Sequence, residues 1–541
     1  MTVTESAPAD AASSAPAPSP ARPTGLAGIF GSDDHKVAGR VWIVVALVGA
    51  LAAGIAELIV SIERVDTSGI DVLDADWIAR VFTFGEVGGV LLFLLPLTIG
   101  IATYVVPLQI GAPGIAFPRL STAAVWAHVV GAGVLVGGYL TDGGPYGPDL
   151  DGVELYLVGL GVVVVAQVLA WICIGTTVVT LRAPGVRLTR VPLFSWSALV
   201  ASAVWLLTLP VVGTLVLVAF LSVRFDQDLL AGGPYGAVSW LFAQPAVYAL
   251  AIPVLGLLGE VVPVFAGTRP RQHRVALGLV GAFGALSLGA WALPGLTVEA
   301  DPFAYEVPWV AVSFAVILPV LGLLGLSADT LRRGKPRLSS PLLFAVAAVL
   351  ALLLAVVAGA VQAVEPIETL VDGEGTALFG TTWTTGILHL VGAAALLALL
   401  GAATYWAPKI IGRTLAEGAA RLVALVLLAG ALVLAVPELV AGLLGQPAGL
   451  GEVPDNVDTV EALAAVSVAG VALLLVGLVV WILLVVKALV GRDLPGDDPW
   501  GGHTLEWATS SPPPPGNFAS LPVVTSEAPL YDARHREEVD A

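Results

Sequence analysis

The residues of this chain most able to do chemistry are few: six histidines, one cysteine, one methionine and a handful of glutamates set in apolar sequence. His128 and His389 lie inside long apolar runs, whereas His35, His273, His503 and His535 fall in polar stretches beside or beyond them. Neutral imidazole suits iron, copper and zinc, so a histidine in an apolar run is the natural place to look for a metal or heme. Glu57, Glu86, Glu260 and Glu438 are the other candidates, because a carboxylate within a membrane is costly to hold and is a functional group by default. Cys173 and Met1 are each the sole residue of their type, which leaves no disulfide framework and no thiolate or thioether site.

What must position these residues is a membrane bundle. Hydrophobic residues make up 57% of the chain and charged residues 12%, against about a quarter charged in a soluble domain. Apolar runs long enough to cross a bilayer fall near 41–62, 81–106, 119–140, 153–181, 196–223 and 236–267. The second half continues with 275–295, 306–327, 340–364, 382–407, 418–443 and 459–490. The expected fold is therefore all-α: a polytopic membrane protein with a twelve-transmembrane-helix bundle over 33–493. A disordered N-terminal tail, 1–32, rich in Ala, Pro and Ser, is expected before it, and an extended, unpacked C-terminal tail, 494–541, after it.

Loop charge alternates along the chain. Arg182, Arg187 and Arg190, then Arg332, Arg333, Lys335 and Arg337, lie in basic loops; Asp66, Asp71, Glu452 and Asp455 lie in acidic ones. Under the positive-inside rule both termini are cytoplasmic in a bacterial plasma membrane. The net charge of −17 then sits on the outer face and in the tails. With no basic patch, nucleic acid is not an expected partner, and membrane lipid is.

Six phrases fix a resemblance. They are DDHKVAGRVWIV from Asp33, FTFGEV from Phe82 with PLQIGAPGIAFPRL from Pro107, RAPGVRLTRVPLFSW from Arg182, SWLFAQPAVYALAIPVLGLLGEVVPVF from Ser239, ATYWAPKIIGR from Ala403, and DPWGGHTLEWATSSPPPPGNF from Asp498. In this order the chain resembles cytochrome c oxidase subunit I, the core of the heme-copper oxidases, over residues ~33 to 518. The resemblance implies that family's twelve-helix fold, two hemes, copper, and companion oxidase-type subunits.

The family's functional positions hold other residues here. Gly85 stands where helix two of the family carries a low-spin heme histidine, and Gln244-Pro245-Ala246-Val247-Tyr248 replaces its His-Pro-Glu-Val-Tyr. Of that phrase's functional side chains only Tyr248 survives; with Gln244 one turn earlier it reads as a vestige in a polar packing cluster. Leu293 and Pro294 follow Trp291-Ala292 where the copper-binding His-His pair belongs, and the helix-ten His-x-His falls on Gly386 and Leu388. His389 is adjacent, one slipped residue from the low-spin heme position, and is the remaining heme-ligand candidate. Ala448 and Gly449 replace the propionate-holding arginine pair, and Gly114 and Leu323 replace the aspartate and lysine of the two proton paths. Glu86 is a candidate intramembrane acid because it neighbours Gly85; His128 and Glu260 read as structural.

The losses are grouped by chemistry rather than by location, and replacing an intramembrane ionisable group also removes a desolvation cost. The expectation is a non-catalytic homologue, a pseudoenzyme with a structural, assembly or regulatory role in a respiratory membrane and with no heme or copper. Two other readings stand beside it. One is a terminal oxidase subunit proper, passing electrons from cytochrome c to oxygen while pumping protons. The other is a carrier that uses the heme cavities for a lipid or quinone.

Overall fold

The computed structural model describes residues 25–65, 74–230, 232–244, 246–288, 302–364, 378–448, 457–491 and 494–540. Helices long and apolar enough to cross a bilayer are α1 (His35–Glu63), α2 (Trp77–Gln109), α3 (Pro118–Leu140), α4 (Leu150–Thr180), α5 (Leu193–Phe225) and α6 (Ala246–Ala266). After the shorter apolar α7 (His273–Leu286) come α8 (Val307–Arg333), α9 (Ser340–Gln362), α10 (Thr382–Tyr405), α11 (Glu417–Leu443) and α12 (Val457–Val490). Eleven of these twelve have spanning length among the described residues. The expected seventh run, 275–295, is helical through Leu286, and from 289 it lies outside the described residues. The bundle is all-helical, as expected. The sixth helix begins ten residues later than its apolar run suggested, next to Pro245, which has no amide to donate to a helix.

Neighbours in sequence pack as neighbours in space: α3 on α4, α4 on α5, α9 on α10, α10 on α11, α11 on α12 and α1 on α2, with α12 returning to α1. Small residues let these helices approach closely, as expected where lipid removes the hydrophobic drive. A Cβ added to Gly470 would meet the backbone N of Leu434 at 2.2 Å, and one on Gly49 would meet the carbonyl O of Leu92 at 2.3 Å. Leu92 lies in a π-helical stretch of α2, Gly88–Leu94. Such a stretch frees carbonyls, and the buried Gln167 Nε2 donates to one of them, Leu91 O, at 2.6 Å.

Parts of both tails make contacts with the bundle. Phe30, inside the expected disordered segment, stacks on Trp126 with ring centroids 4.4 Å apart. At the other end, much of 494–541 packs onto the bundle instead of trailing from it. Glu506 is fully buried and accepts from Gln109 Nε2 and Trp406 Nε1, each at 3.1 Å. Asn517 Nδ2 donates to Ala112 O at 2.8 Å while its Oδ1 accepts from Lys36 Nζ at 3.0 Å. These polar side chains read as solvated in sequence because their partners lie about 100 to 480 residues away. They pair with polar groups of the bundle that are buried under the tail.

Candidate functional site

Three helices bring the isolated carboxylates and histidine of the sequence into one cluster. Glu57 lies six residues before the end of α1, Glu438 five before the end of α11, and His389 seven after the start of α10. At 1.5 Å per residue all three sit about 8–11 Å inside the same end of the bundle. His389 Nδ1 is 2.7 Å from Glu438 Oε2 and its Nε2 is 3.4 Å from Glu57 Oε1. The second contact is no hydrogen bond, for Glu57 Oε1 has no such partner.

Arg64 completes the cluster. It follows Glu57 by seven residues, two helical turns, so both project to the same side of the chain. Its Nη1 lies 3.5 Å from Glu438 Oε1, and its Nη2 donates to Ala448 O at 2.7 Å. The guanidinium thus reaches the loop where the family's propionate arginines would stand, but from α1. Nothing in the sequence pattern of that loop points to Arg64.

Beside the cluster is a cavity of about 160 Å³ with mostly apolar walls, into which Glu57, Glu86 and His389 also face. Gly85, Leu388, Ala53, Leu434 and Leu478 are among the apolar lining. The Tyr235 hydroxyl donates to the Glu86 carboxylate, which fixes Glu86 in the wall. A smaller void of about 30 Å³, lined by Ser61, Arg64, Glu438 and Gln446, lies on the loop side.

Gly386, Gln244 and Tyr248, also singled out in the sequence, are closed in by packing. A Cβ on Gly386 would meet Leu439 at 3.0 Å and Ala435 O at 3.2 Å, so α11 closes on it. Gln244 Nε2 donates to Gly359 O at 3.1 Å, and the Ser313 hydroxyl donates to Gln244 Oε1 at 2.9 Å. Tyr248 lies against the same stretch of α9, where a Cβ on Gly359 would meet its hydroxyl at 1.9 Å. Leu293, Pro294 and Gly449 lie outside the described residues. His128 is fully buried with its ring 4.6 Å from that of Trp42, and neither ring nitrogen has a hydrogen-bond partner. Glu260 accepts from Thr504 Oγ1 at 2.9 Å and belongs to the C-terminal contact, far from the cluster in the chain.

Residues 37–479 match the family described as cytochrome c and quinol oxidase polypeptide I. The chain belongs to this family. Cytochrome c oxidase subunit 1 of Corynebacterium glutamicum is 29% identical over 547 residues, covering 94% of this chain and 88% of the relative. That of Corynebacterium diphtheriae is 29% identical over 539 residues, covering 94% and 92%. In fold the chain resembles a heme-copper terminal oxidase seen as a dimer by cryo-electron microscopy, with a TM-score of 0.67 at 16% identity, covering 93% of this chain and 89% of that one. It is a cytochrome c oxidase subunit I-like, multi-pass membrane protein, and its family binds hemes and copper.

The residues present do not fit those groups as the subunit I family holds them. Beside the low-spin heme position, Glu57 lies against both Gly85 and His389. Its Oε1 is 3.4 Å from His389 Nε2, and its Oε2 would be 3.5 Å from a Cβ on Gly85. His389 has a carboxylate against each ring nitrogen. The described part of the copper position holds a hydrogen-bonded amide, Gln244, which is a poor substitute for imidazole.

Proposed function

We propose that this chain is a non-catalytic member of the subunit I family, serving as a structural, assembly or regulatory component of a bacterial respiratory membrane. The observation that carries this reading is the Glu57 carboxylate placed against both Gly85 and His389, where a six-coordinate heme would need open space and two imidazoles. The amide network of Gln244, Ser313 and Gly359 supports it at the second centre. Companion oxidase-type subunits are its natural partners, by analogy with the family. Expression in a bacterium lacking its terminal oxidases tests the proposal. No cytochrome c- or quinol-driven oxygen consumption is expected, and restored respiration would overturn it.

The apolar walls of the 160 Å³ cavity favour a second reading, an apolar guest such as a lipid chain or quinone. A dry apolar cavity of comparable size, ~150 Å³, is known to take up benzene. Organic extraction of the purified protein followed by mass spectrometry would find a stoichiometric quinone or lipid if this reading holds. A purely random lipid mixture would exclude it.

The alternation of arginine-rich and acidic loops supports cytoplasmic termini. Cys173, the sole cysteine, is buried, so introduced cysteines report cleanly. In intact cells an impermeant reagent is expected to label Asp149→Cys and to spare Arg333→Cys; the reverse pattern would invert the topology.

A further inference from the structure

The contact between His389 and Glu57 poses a chemical problem. Glu438 Oε2 is 2.7 Å from His389 Nδ1, a normal hydrogen-bond distance, so Nδ1 carries a proton and donates it to the carboxylate. In a neutral ring the lone pair of Nε2 then faces the oxygen of Glu57, which has no hydrogen-bond partner, across 3.4 Å. Two electron-rich atoms face one another only with a positive centre between them. A proton there would make a charge-assisted hydrogen bond of about 2.7–2.9 Å, and the gap is half an ångström wider. Two donors each ~2.1 Å from an ion and at the tetrahedral angle stand roughly 3.4 Å apart.

We propose that His389 Nε2 and Glu57 Oε1 bind a first-row divalent cation of the zinc or manganese class, with Glu438 behind the imidazole as the carboxylate that orients it. A donor atom of each of Glu57, His389 and Glu438 lies within 4.8 Å of the others. The three come from three helices, α1, α10 and α11, the arrangement by which helix bundles build metal sites. One imidazole with carboxylate oxygen suits zinc, manganese or ferrous iron, and a soft cuprous ion poorly. Glu438 is held in place by Arg64 at 3.5 Å on its other oxygen, which leaves Oε2 for the ring. A carboxylate–histidine pair of this kind fixes the tautomer and raises ligand basicity.

The remaining coordination positions open onto the 160 Å³ cavity, which has room for water ligands and carries the Glu86 carboxylate in its wall. A second void of about 30 Å³ lies beside Glu438, Arg64, Ser61 and Gln446. The site lies where the family would place a heme, but it requires neither porphyrin nor oxygen chemistry. It goes beyond the non-catalytic reading and does not depend on it.

The test uses the full-length protein in detergent, stripped with a chelator and titrated with zinc by calorimetry and with manganese by electron paramagnetic resonance. One ion per chain is expected for each. His389→Ala and Glu57→Gln should each weaken binding at least a hundredfold, and Glu438→Gln ten- to a hundredfold. His128→Ala, a buried histidine away from the cluster, should change neither affinity nor stoichiometry. Folding of each variant is followed by monodispersity, and zinc-edge X-ray absorption of the wild type supplies a readout independent of the variants: one imidazole among oxygen ligands. Absence of a stoichiometric ion in the wild type, binding undiminished in both His389→Ala and Glu57→Gln, or an edge spectrum without imidazole would overturn the proposal. A heme band, measured on the same samples, would count against the non-catalytic reading whatever the zinc result.

Discussion

At one end of the bundle, Glu506 takes hydrogen bonds from Gln109 and Trp406, and Lys409 Nζ donates to the carbonyls of Asp497 and Thr509 at 2.9 and 2.6 Å. At the other end, Glu57, His389, Glu438 and Arg64 form a cluster of ionisable side chains with a cavity beside it. Both ends bury charge, but they satisfy it differently. The first uses neutral donors and backbone carbonyls, and burial pushes Glu506 above the usual carboxylate range and Lys409 down to about 8. The second uses opposite charges on three helices; at each end one carboxylate oxygen, Glu506 Oε2 or Glu57 Oε1, has no hydrogen bond. Family phrases such as Leu-Glu-Trp and Trp-Ala-Pro-Lys persist at the packed end, whereas the family's ligand phrases are lost at the end with the cavity. A network that ties elements together resists replacement; on the proposed non-catalytic reading, the other end is free to be rebuilt from whichever charges face it.

The comparison breaks most readily at Arg64. Arg64→Met leaves the buried Glu438 without its guanidinium partner, and breaking one side of a buried pair costs about 3 kcal/mol or more. Reversible unfolding in detergent should register that loss, and adding Glu438→Gln should recover part of it. A neutral single variant would mean that the pair contributes nothing and the cluster is a solvated surface feature.

A smaller loss is expected at the filled copper position. Gly359→Ala sets a methyl against the Tyr248 hydroxyl at 1.9 Å and Gln244 Oε1 at 3.2 Å, an overpacking worth about 2 kcal/mol. Tyr248→Phe should relieve it in the double variant. If Gly359→Ala is neutral by thermal unfolding, the position is open enough for a metal centre after all.

The smallest effect is a pH dependence of the packed end. Burial, reinforced by the Arg534 charge, lowers His503 to about 3 from its ordinary 6.5. Between those values the unfolded segment binds more protons than the docked one, so docking strengthens as pH rises through this window and weakens as pH falls below 6.5. Hydrogen exchange over 503–517, corrected for intrinsic rates, should speed up at pH 5.5 relative to 7.5. Replacing His503 by Gln should flatten the difference.

Most of the fold was legible in sequence, because bilayer thickness imposes a length that apolar runs must meet. The packed tail was not: Asn517 and Glu506 look like ordinary loop residues until Lys36 and Gln109 are brought to them. Within the candidate site, His389, Glu57, Glu86 and Glu438 each stood out as an ionisable group in an apolar run. Their meeting did not, since the spacing from Glu57 to His389 and on to Glu438 follows no local period. Arg64 and Tyr235 gave no signal at all, one sitting just past a helix end and the other in a four-residue helix, Gly233–Gly236. The π-helical turn after Glu86 was equally hidden, because the residues that meet it, Gln167 on α4 and Gly49 on α1, are distant in sequence.

The most direct test of the account is the heme content of the purified full-length protein, measured by pyridine hemochrome absorption against protein concentration. With Glu57 against both Gly85 and His389, the account predicts no stoichiometric heme, and no gain on incubating the protein with heme during expression. A band near one equivalent per chain, abolished by His389→Ala, would contradict it and restore a redox role to this bundle.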